Sequence, residues 1–201
     1  YNENAPLQVA GLARLPLLLL VCEGIDGKKL ALDDTIVVTQ AAADIKGPTA
    51  FLEANEQIPA RELLKAAVMI GAGDAMVSLA LKLYGTQAAV LQAMSARLEA
   101  LDVSAQYTDL NATSTPLCAL DIAKLGRLLA QSESFNLYSS LYLDGITHED
   151  DRYTELVNPN RLIRDYPGCT GASTGSSNTA GYCGVFNVNL TEASLLVVVV
   201  G

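Results

Sequence analysis

The chain has a single histidine, His148, among its 201 residues. That scarcity leaves no Ser-His-Asp or Cys-His arrangement except through His148 itself. Basic residues are also few, with 13 Lys and Arg against 22 Asp and Glu and a net charge of −9. No basic cluster offsets the deficit, so the electrostatic footprint of a nucleic-acid binder is missing. Only 17% of residues are charged and 50% are hydrophobic, which excludes a disordered chain. No apolar run is long enough to cross a bilayer; Leu15 to Cys22 reaches roughly half the required length. That run also lacks the basic flank and small-residue cleavage site of a signal peptide. Val21 is not the small residue that lipoprotein processing at Cys22 would need. Being apolar all round, the run predicts a buried helix.

Cysteine usage excludes a thiolate metal centre of the C-x-x-C type, because Cys22, Cys118, Cys169 and Cys183 are far apart. Buried or free thiols are the main expectation, and three disulfide pairings stay open. Metal-ligand residue types cluster only at His148-Glu149-Asp150-Asp151, which reads as a solvated loop. No metal and no cofactor is expected. Asn111-Ala112-Thr113 and Asn189-Leu190-Thr191 match a glycosylation sequon.

What is present reads as a helix-rich middle followed by strands. A first helix is expected from Leu15 to Asp26, closed by Gly27, and a short extended segment from Thr35 to Thr39. Pro59 to Ile70 reads as an amphipathic helix with proline near its start. Asp74 can cap a helix running to about Leu83, and Thr86 can cap the next. In that next helix Val90, Leu91, Met94, Leu98 and Leu101 keep helical spacing. Another helix spans about Leu120 to Gln131. Tyr182–Val188 and Ser194–Val200 read as strands, the second apolar enough to be central in a sheet.

Between the helices and these strands lies Gly168-Cys169-Thr170-Gly171-Ala172-Ser173-Thr174-Gly175-Ser176-Ser177-Asn178-Thr179-Ala180-Gly181-Tyr182-Cys183, preceded by Tyr166-Pro167. Composition alone makes this an ordinary loop. The order of residues resembles Y-P-G-x-x-G-x-K-T-G-x-x-x-x-A-G-Y-C of the D-alanyl-D-alanine carboxypeptidases, the low-molecular-mass penicillin-binding proteins. Further segments are similar to that family with spacing kept: Tyr1-Asn2-Glu3-Asn4-Ala5, Leu30 to Asp34, Phe51 to Lys65, Asp74 to Gly85, and Leu156-Val157-Asn158 with Asn160 and Leu162. The resemblance implies an α/β chain of the α+β type, with an antiparallel sheet flanked by helices and an all-helical lobe. One domain over 1–201 is expected, with about 40–150 as the helical lobe and 1–39 plus 151–201 on the sheet side. The family's first two strands and last helix have no counterpart in the sequence, which would expose an apolar edge such as Leu195 to Val200.

The family's chemistry rests on three motifs, and each is degenerate here. In S-x-x-K a serine attacks the substrate carbonyl and a lysine takes its proton. Those positions are Gly11 and Arg14. Glycine has no nucleophilic atom, and an arginine with a pKa above about 12 is no base near neutrality. S-x-N is Gly71-Ala72-Gly73, without the proton-shuttling hydroxyl or the substrate-binding amide. These glycines do not form a dinucleotide loop, because no strand precedes them and Met76 occupies the final glycine position. K-T-G has lost its lysine to Ser173 but keeps Thr174 and Gly175. Thr174, Gly175 and Ser176 are therefore the candidates for residual ligand binding, with the backbone N–H groups of Gly11 and Ser176 at the positions resembling an oxyanion hole.

Pro16 adds a separate argument. Inside a helix it costs about 3 kcal/mol or more, whereas in the first turn its missing N–H is harmless. The helix should therefore begin near Leu15, with Gly11 to Arg14 in the preceding loop and the side-by-side placement of positions 11 and 14 dissolved. Together these readings imply a catalytically inactive relative of a D-Ala-D-Ala carboxypeptidase, outside the cytoplasm, at the bacterial cell envelope or secreted, binding peptidoglycan stem peptide or a protein partner. The alternatives are an active serine-type carboxypeptidase using rewired residues such as Ser173, and a purely structural interaction module.

Overall fold

The computed structural model describes residues 2–201. The Tyr1 of the first family-like segment therefore lies outside the described residues. The turn that follows it is present, closed by the Ala5 N–H donating to the Asn2 carbonyl at 3.0 Å.

A 3-10 helix, Ala10–Arg14, runs directly into α1, Leu15–Asp26. Pro16 sits in the first turn of α1, where it removes no hydrogen bond that the helix would have made. Gly27 ends the helix, its N–H bonding to the Glu23 carbonyl at 2.9 Å. Leu15 through Cys22 are all buried, as expected of a run apolar on every side. The residues before Leu15 are not an open loop, however. The 3-10 turn superposes positions three apart, so Gly11 and Arg14 keep a common side of it.

The extended segment appears as β1, Thr35–Val37, paired antiparallel with β2, Gln57–Pro59, around the short α2, Gln40–Ala43. Pro59 is the N-cap of α3, Ala60–Ile70, and Gly71 terminates that helix in the left-handed region at φ 68°. α4, Gly73–Tyr84, follows at once. Asp74 lies within its first turn rather than at the cap, a position held by Ala72. Thr86 caps α5, Gln87–Ala100, its hydroxyl accepting the Ala89 N–H at 3.2 Å. α6, Ala119–Gln131, begins at Cys118, whose sulfur accepts the Asp121 N–H. α7, Glu133–Asn136, and the hairpin of β3, Leu143–Thr147, with β4, Tyr153–Val157, lead to α8, Leu162–Asp165. None of α2, β2 or these last four elements was expected from the sequence.

The last three strands form one antiparallel sheet in the order β5-β6-β7: Cys169–Ser177, Gly181–Asn189 and Ser194–Val199. The Gly/Ser/Thr-rich segment is thus a strand and not the loop its composition suggests, because ladder hydrogen bonds to β6 hold small residues that favour no conformation themselves. β7 is an edge of this sheet, with β6 in the centre. Apolarity marked β7 as central; instead Leu195, Val197 and Val199 stand half exposed on one face, while Leu196 and Val198 pack on the core. α6 lies tight on the sheet. A Cβ at Gly126 would come within 2.8 Å of the Val185 side chain. All four cysteines are free thiols.

Candidate functional site

Gly11, Thr174 and Gly175, three of the positions marked in the sequence, meet where the 3-10 turn lies against β5. Gly11 abuts the Thr174 carbonyl and Gly175, and a Cβ on Gly175 would be only 2.7 Å from the Gly11 nitrogen. Glycine at 175 is what permits this approach of backbone to backbone. A Cβ on Gly11 itself would sit in ordinary contact, 3.7 Å from the Thr174 oxygen. Position 11 has room for a side chain and carries none.

Arg14 leaves the same turn and is 1% exposed. Its Nε donates to the Asn111 carbonyl at 3.0 Å and its Nη2 to the Asn111 Oδ1 at 2.9 Å and to the Lys46 carbonyl. Nη1 donates to the carbonyls of Gly71 at 3.3 Å and Pro48 at 3.5 Å. One guanidinium thus joins the turn before α1, the loop after α2, the end of α3 and the loop before α6. Burial pushes the Arg14 pKa below its ordinary value, opposed by the negative charge of Asp74. That shift does not make it a base, because its N–H groups already face fixed acceptors.

The space for this guanidinium exists because of what its neighbours lack. A Cβ at Gly73 would fall 2.6 Å from Arg14 Cζ and 2.7 Å from the Ile45 side chain. Gly47, at φ +97°, passes beside the same guanidinium. Asp74 stiffens the adjoining wall, its carboxylate accepting the N–H groups of Ala50, Leu52 and Ala75. Burial raises the Asp74 pKa, and those backbone bonds act against the rise. On the other side, Tyr107 donates to the Ala13 carbonyl at 2.7 Å and pins the turn. Its phenol is pushed well up by burial.

A sequence profile of D-alanyl-D-alanine carboxypeptidases matches residues 1–201. The chain belongs to the D-alanyl-D-alanine carboxypeptidase family. It is 29% identical over 186 residues to the D-alanyl-D-alanine carboxypeptidase DacF of Bacillus subtilis, covering 90% of this chain and 48% of that protein. It is 25% identical to the D-alanyl-D-alanine endopeptidase of Pseudomonas aeruginosa over 98% of this chain and 64% of that one. The chain therefore spans about half to two-thirds of the length of these relatives. The fold is similar to the carboxypeptidase DacD of Francisella tularensis, with a TM-score of 0.90 at 18% identity, covering 100% of this chain and 61% of that one. Penicillin-binding protein 6B of Escherichia coli gives 0.87 at 23% identity, over 100% of this chain and 65% of its own.

Within this family member the sequence-marked positions fall into two groups. Gly11, Arg14, Gly71, Gly73, Thr174 and Gly175 lie around the 3-10 turn, so the expected separation of positions 11 and 14 does not occur. Ser173 and Ser176 are on β5, opposite Val185 and Tyr182. The hydroxyls of Ser173, Thr174 and Ser176 hydrogen-bond to no described residue.

Sequence reasoning missed the contacts of Asn111, Gly47 and the Lys46 and Pro48 carbonyls with Arg14, which come from loops that no catalytic motif marks. It also misplaced His148. Glu149, Asp150 and Asp151 are exposed, but His148 is 3% exposed. Its Nδ1 lies 2.6 Å from Glu56 Oε1 and its Nε2 2.8 Å from Thr154 Oγ1. Glu56 also accepts the Glu53 N–H at 3.0 Å, and Thr154 Oγ1 lies 3.5 Å from the Ala50 carbonyl. This row of polar groups ties the β3–β4 hairpin to the loops around residues 50–56, and a buried imidazole needs such partners on both nitrogens. Among the described residues no group of His, Cys, Asp and Glu is arranged to hold a metal ion, and no helix is long and apolar enough to cross a membrane.

Proposed function

We propose that this chain is a catalytically inactive member of its family, kept for binding or scaffolding at the bacterial cell envelope. One observation carries the reading: Arg14, at the position that resembles the family's base, has its guanidinium donors spent on fixed oxygens. Covalent catalysis needs a nucleophile and a base within reach of it. Gly11 supplies no nucleophile, and the missing lysine of K-T-G leaves no cation on β5, where Ser173 stands. Ser173 and Ser176 have no histidine or lysine hydrogen-bonded to them that could activate a hydroxyl. The reading of an active enzyme on rewired residues therefore lacks a base.

What supports residual binding is the free Thr174 hydroxyl beside the Gly11 turn, a donor suited to a ligand carboxylate. The ligand of this reading is a peptidoglycan stem peptide ending in D-Ala-D-Ala. Incubation with a fluorescent penicillin should give no covalent adduct, since loss of the nucleophile in a serine hydrolase can cost about 10⁶ in rate. Titration with a D-Ala-D-Ala-ended peptide should give weak, saturable binding that Thr174→Val reduces. A mass increase of one β-lactam mapped to Ser173 or Ser176 would refute inactivity. Absence of peptide binding would leave the purely structural alternative.

A further inference from the structure

The buried row through His148 can satisfy all its polar groups in only one arrangement of protons. His148 Nδ1 stands 2.6 Å from Glu56 Oε1, and Nε2 stands 2.8 Å from Thr154 Oγ1. The row ends at the Ala50 carbonyl, 3.5 Å beyond Oγ1. Ala50 is wholly buried, and no other donor among the described residues reaches that carbonyl.

A threonine hydroxyl has one proton to give. If His148 is neutral with its proton on Nδ1, then Nε2 and the Ala50 carbonyl compete for that proton. One of them goes without, and an enclosed polar group lacking a partner is costly. With both ring nitrogens protonated the conflict disappears. Nδ1 donates to Glu56, Nε2 donates to Thr154, and Oγ1 donates to Ala50. The extra proton belongs to the ring and not to Glu56, because Oε2 accepts the Glu53 N–H at 3.0 Å and faces Arg152 Nη2 at 3.7 Å. Both carboxylate oxygens therefore meet donors.

The neighbouring charges are already paired. Arg152 is shared among Glu56, Glu53 and Asp150, the last bonded to its Nε at 2.7 Å. Glu149 accepts the Gln57 N–H at 2.8 Å, and Asp151 is exposed. α3 contributes Lys65, held by Glu62, Asp144 and the Gly145 carbonyl. α4 contributes Asp74, which accepts the Ala50 N–H.

The segment that the row holds is strained. Phe51 lies at φ 58°, a left-handed conformation that a bulky residue disfavours, and it is 69% exposed. Restraints act on it from two sides. Asp74 takes the N–H groups of Ala50 and Leu52. The hairpin supplies the Thr154 hydroxyl to the Ala50 carbonyl and Arg152 Nη1 to the Phe51 carbonyl, the latter at 3.2 Å. When the ring loses its second proton, the Thr154 proton turns to Nε2 and the Ala50 restraint is lost.

We propose that Glu56, His148 and Thr154 form a proton-operated latch. It is closed while the imidazole carries both protons, holding residues 50–52 against the β3–β4 hairpin, and it slackens as pH rises. Its stabilising effect is present at low pH and lost at high pH, the sign for a folded state that binds one proton more than the unfolded chain. Because Ala50 and Leu52 share Asp74 with the wall of the Arg14 pocket, the slackened segment borders that pocket.

The chain has one histidine and no tryptophan, so the proton and the segment can be read separately. In nitrogen NMR of the imidazole at about pH 7, where a free ring is mostly neutral, both nitrogens should carry protons. Thr154→Val removes the hydroxyl and keeps the shape; it should lower the midpoint of the ring's titration by about one pH unit. Phe51→Trp puts a fluorophore at an exposed position. Its emission should change with pH at the same midpoint as the ring, and adding Thr154→Val should move both midpoints together. A ring protonated on only one nitrogen at about pH 7 overturns the proposal, and that measurement needs no substitution. An unchanged midpoint in Thr154→Val overturns it too, as does Trp emission that does not follow the ring.

Discussion

The 3-10 turn and the α6–sheet cleft are both polar hollows in the same small fold, yet they treat their polar groups in opposite ways. Around Arg14 the donors and acceptors of distant loops are matched into one network. In the cleft between α6 and the β5–β6–β7 sheet, the side chains of Asn187 and Thr170 hydrogen-bond to no described residue. A buried group that has partners contributes to holding the fold, whereas the Asn187 amide, whose atoms are not enclosed, contributes no such bond. Arg14 is tied into the structure, whereas the polar side chains of the cleft are left to solvent.

Three substitutions bear on this contrast. Arg14→Ala should have the largest effect, because it leaves several buried oxygens without donors. The expected loss is about 3 kcal/mol or more, equivalent to a Tm lower by roughly 10 °C. Thermal unfolding within about 2 °C of the parent would mean that water replaces the guanidinium freely.

Gly73→Asn should come next, since its Cβ would collide with Arg14 and Ile45. Overpacking of this kind costs about 1–3 kcal/mol. Combined with Arg14→Lys, which withdraws the guanidinium, the loss should be smaller than the sum by about 0.5–3 kcal/mol in a double-mutant cycle. Additive losses would show that the two positions do not share one space.

Asn187→Leu should have the smallest effect, and with the opposite sign. Exchanging an unpartnered amide for an apolar group of similar size should raise stability by up to about 1 kcal/mol in denaturant titration. A clear loss would reveal a structural role for the amide and place it with Arg14 instead.

The sequence disclosed the helices better than the sheet. α1, α3, α5 and α6 announce themselves by apolar spacing, a first-turn proline or a capping residue, all local signals. β5 has no local signal, since Ser, Thr and Gly make a strand only when β6 pairs with them; family resemblance, not composition, pointed to its importance. β7 shows the converse limit, because Leu-Leu-Val-Val-Val states that a strand is apolar and not how many neighbours it has. The positions resembling the family motifs could be marked from the sequence. The way they are filled could not, since Asn111 lies 97 residues from Arg14 in the chain. Likewise His148 looked solvated beside Glu149-Asp150-Asp151, and its partner Glu56 is 92 residues away.

The contact of Arg14 with Gly73 also bears on history. With arginine in place, an asparagine at 73 meets a steric barrier; with glycine at 73, a lysine at 14 leaves carbonyls unpaired and a gap beside Ile45. Each single step toward the family motif is expected to give a less stable protein than the pair now present. The pair works as a ratchet.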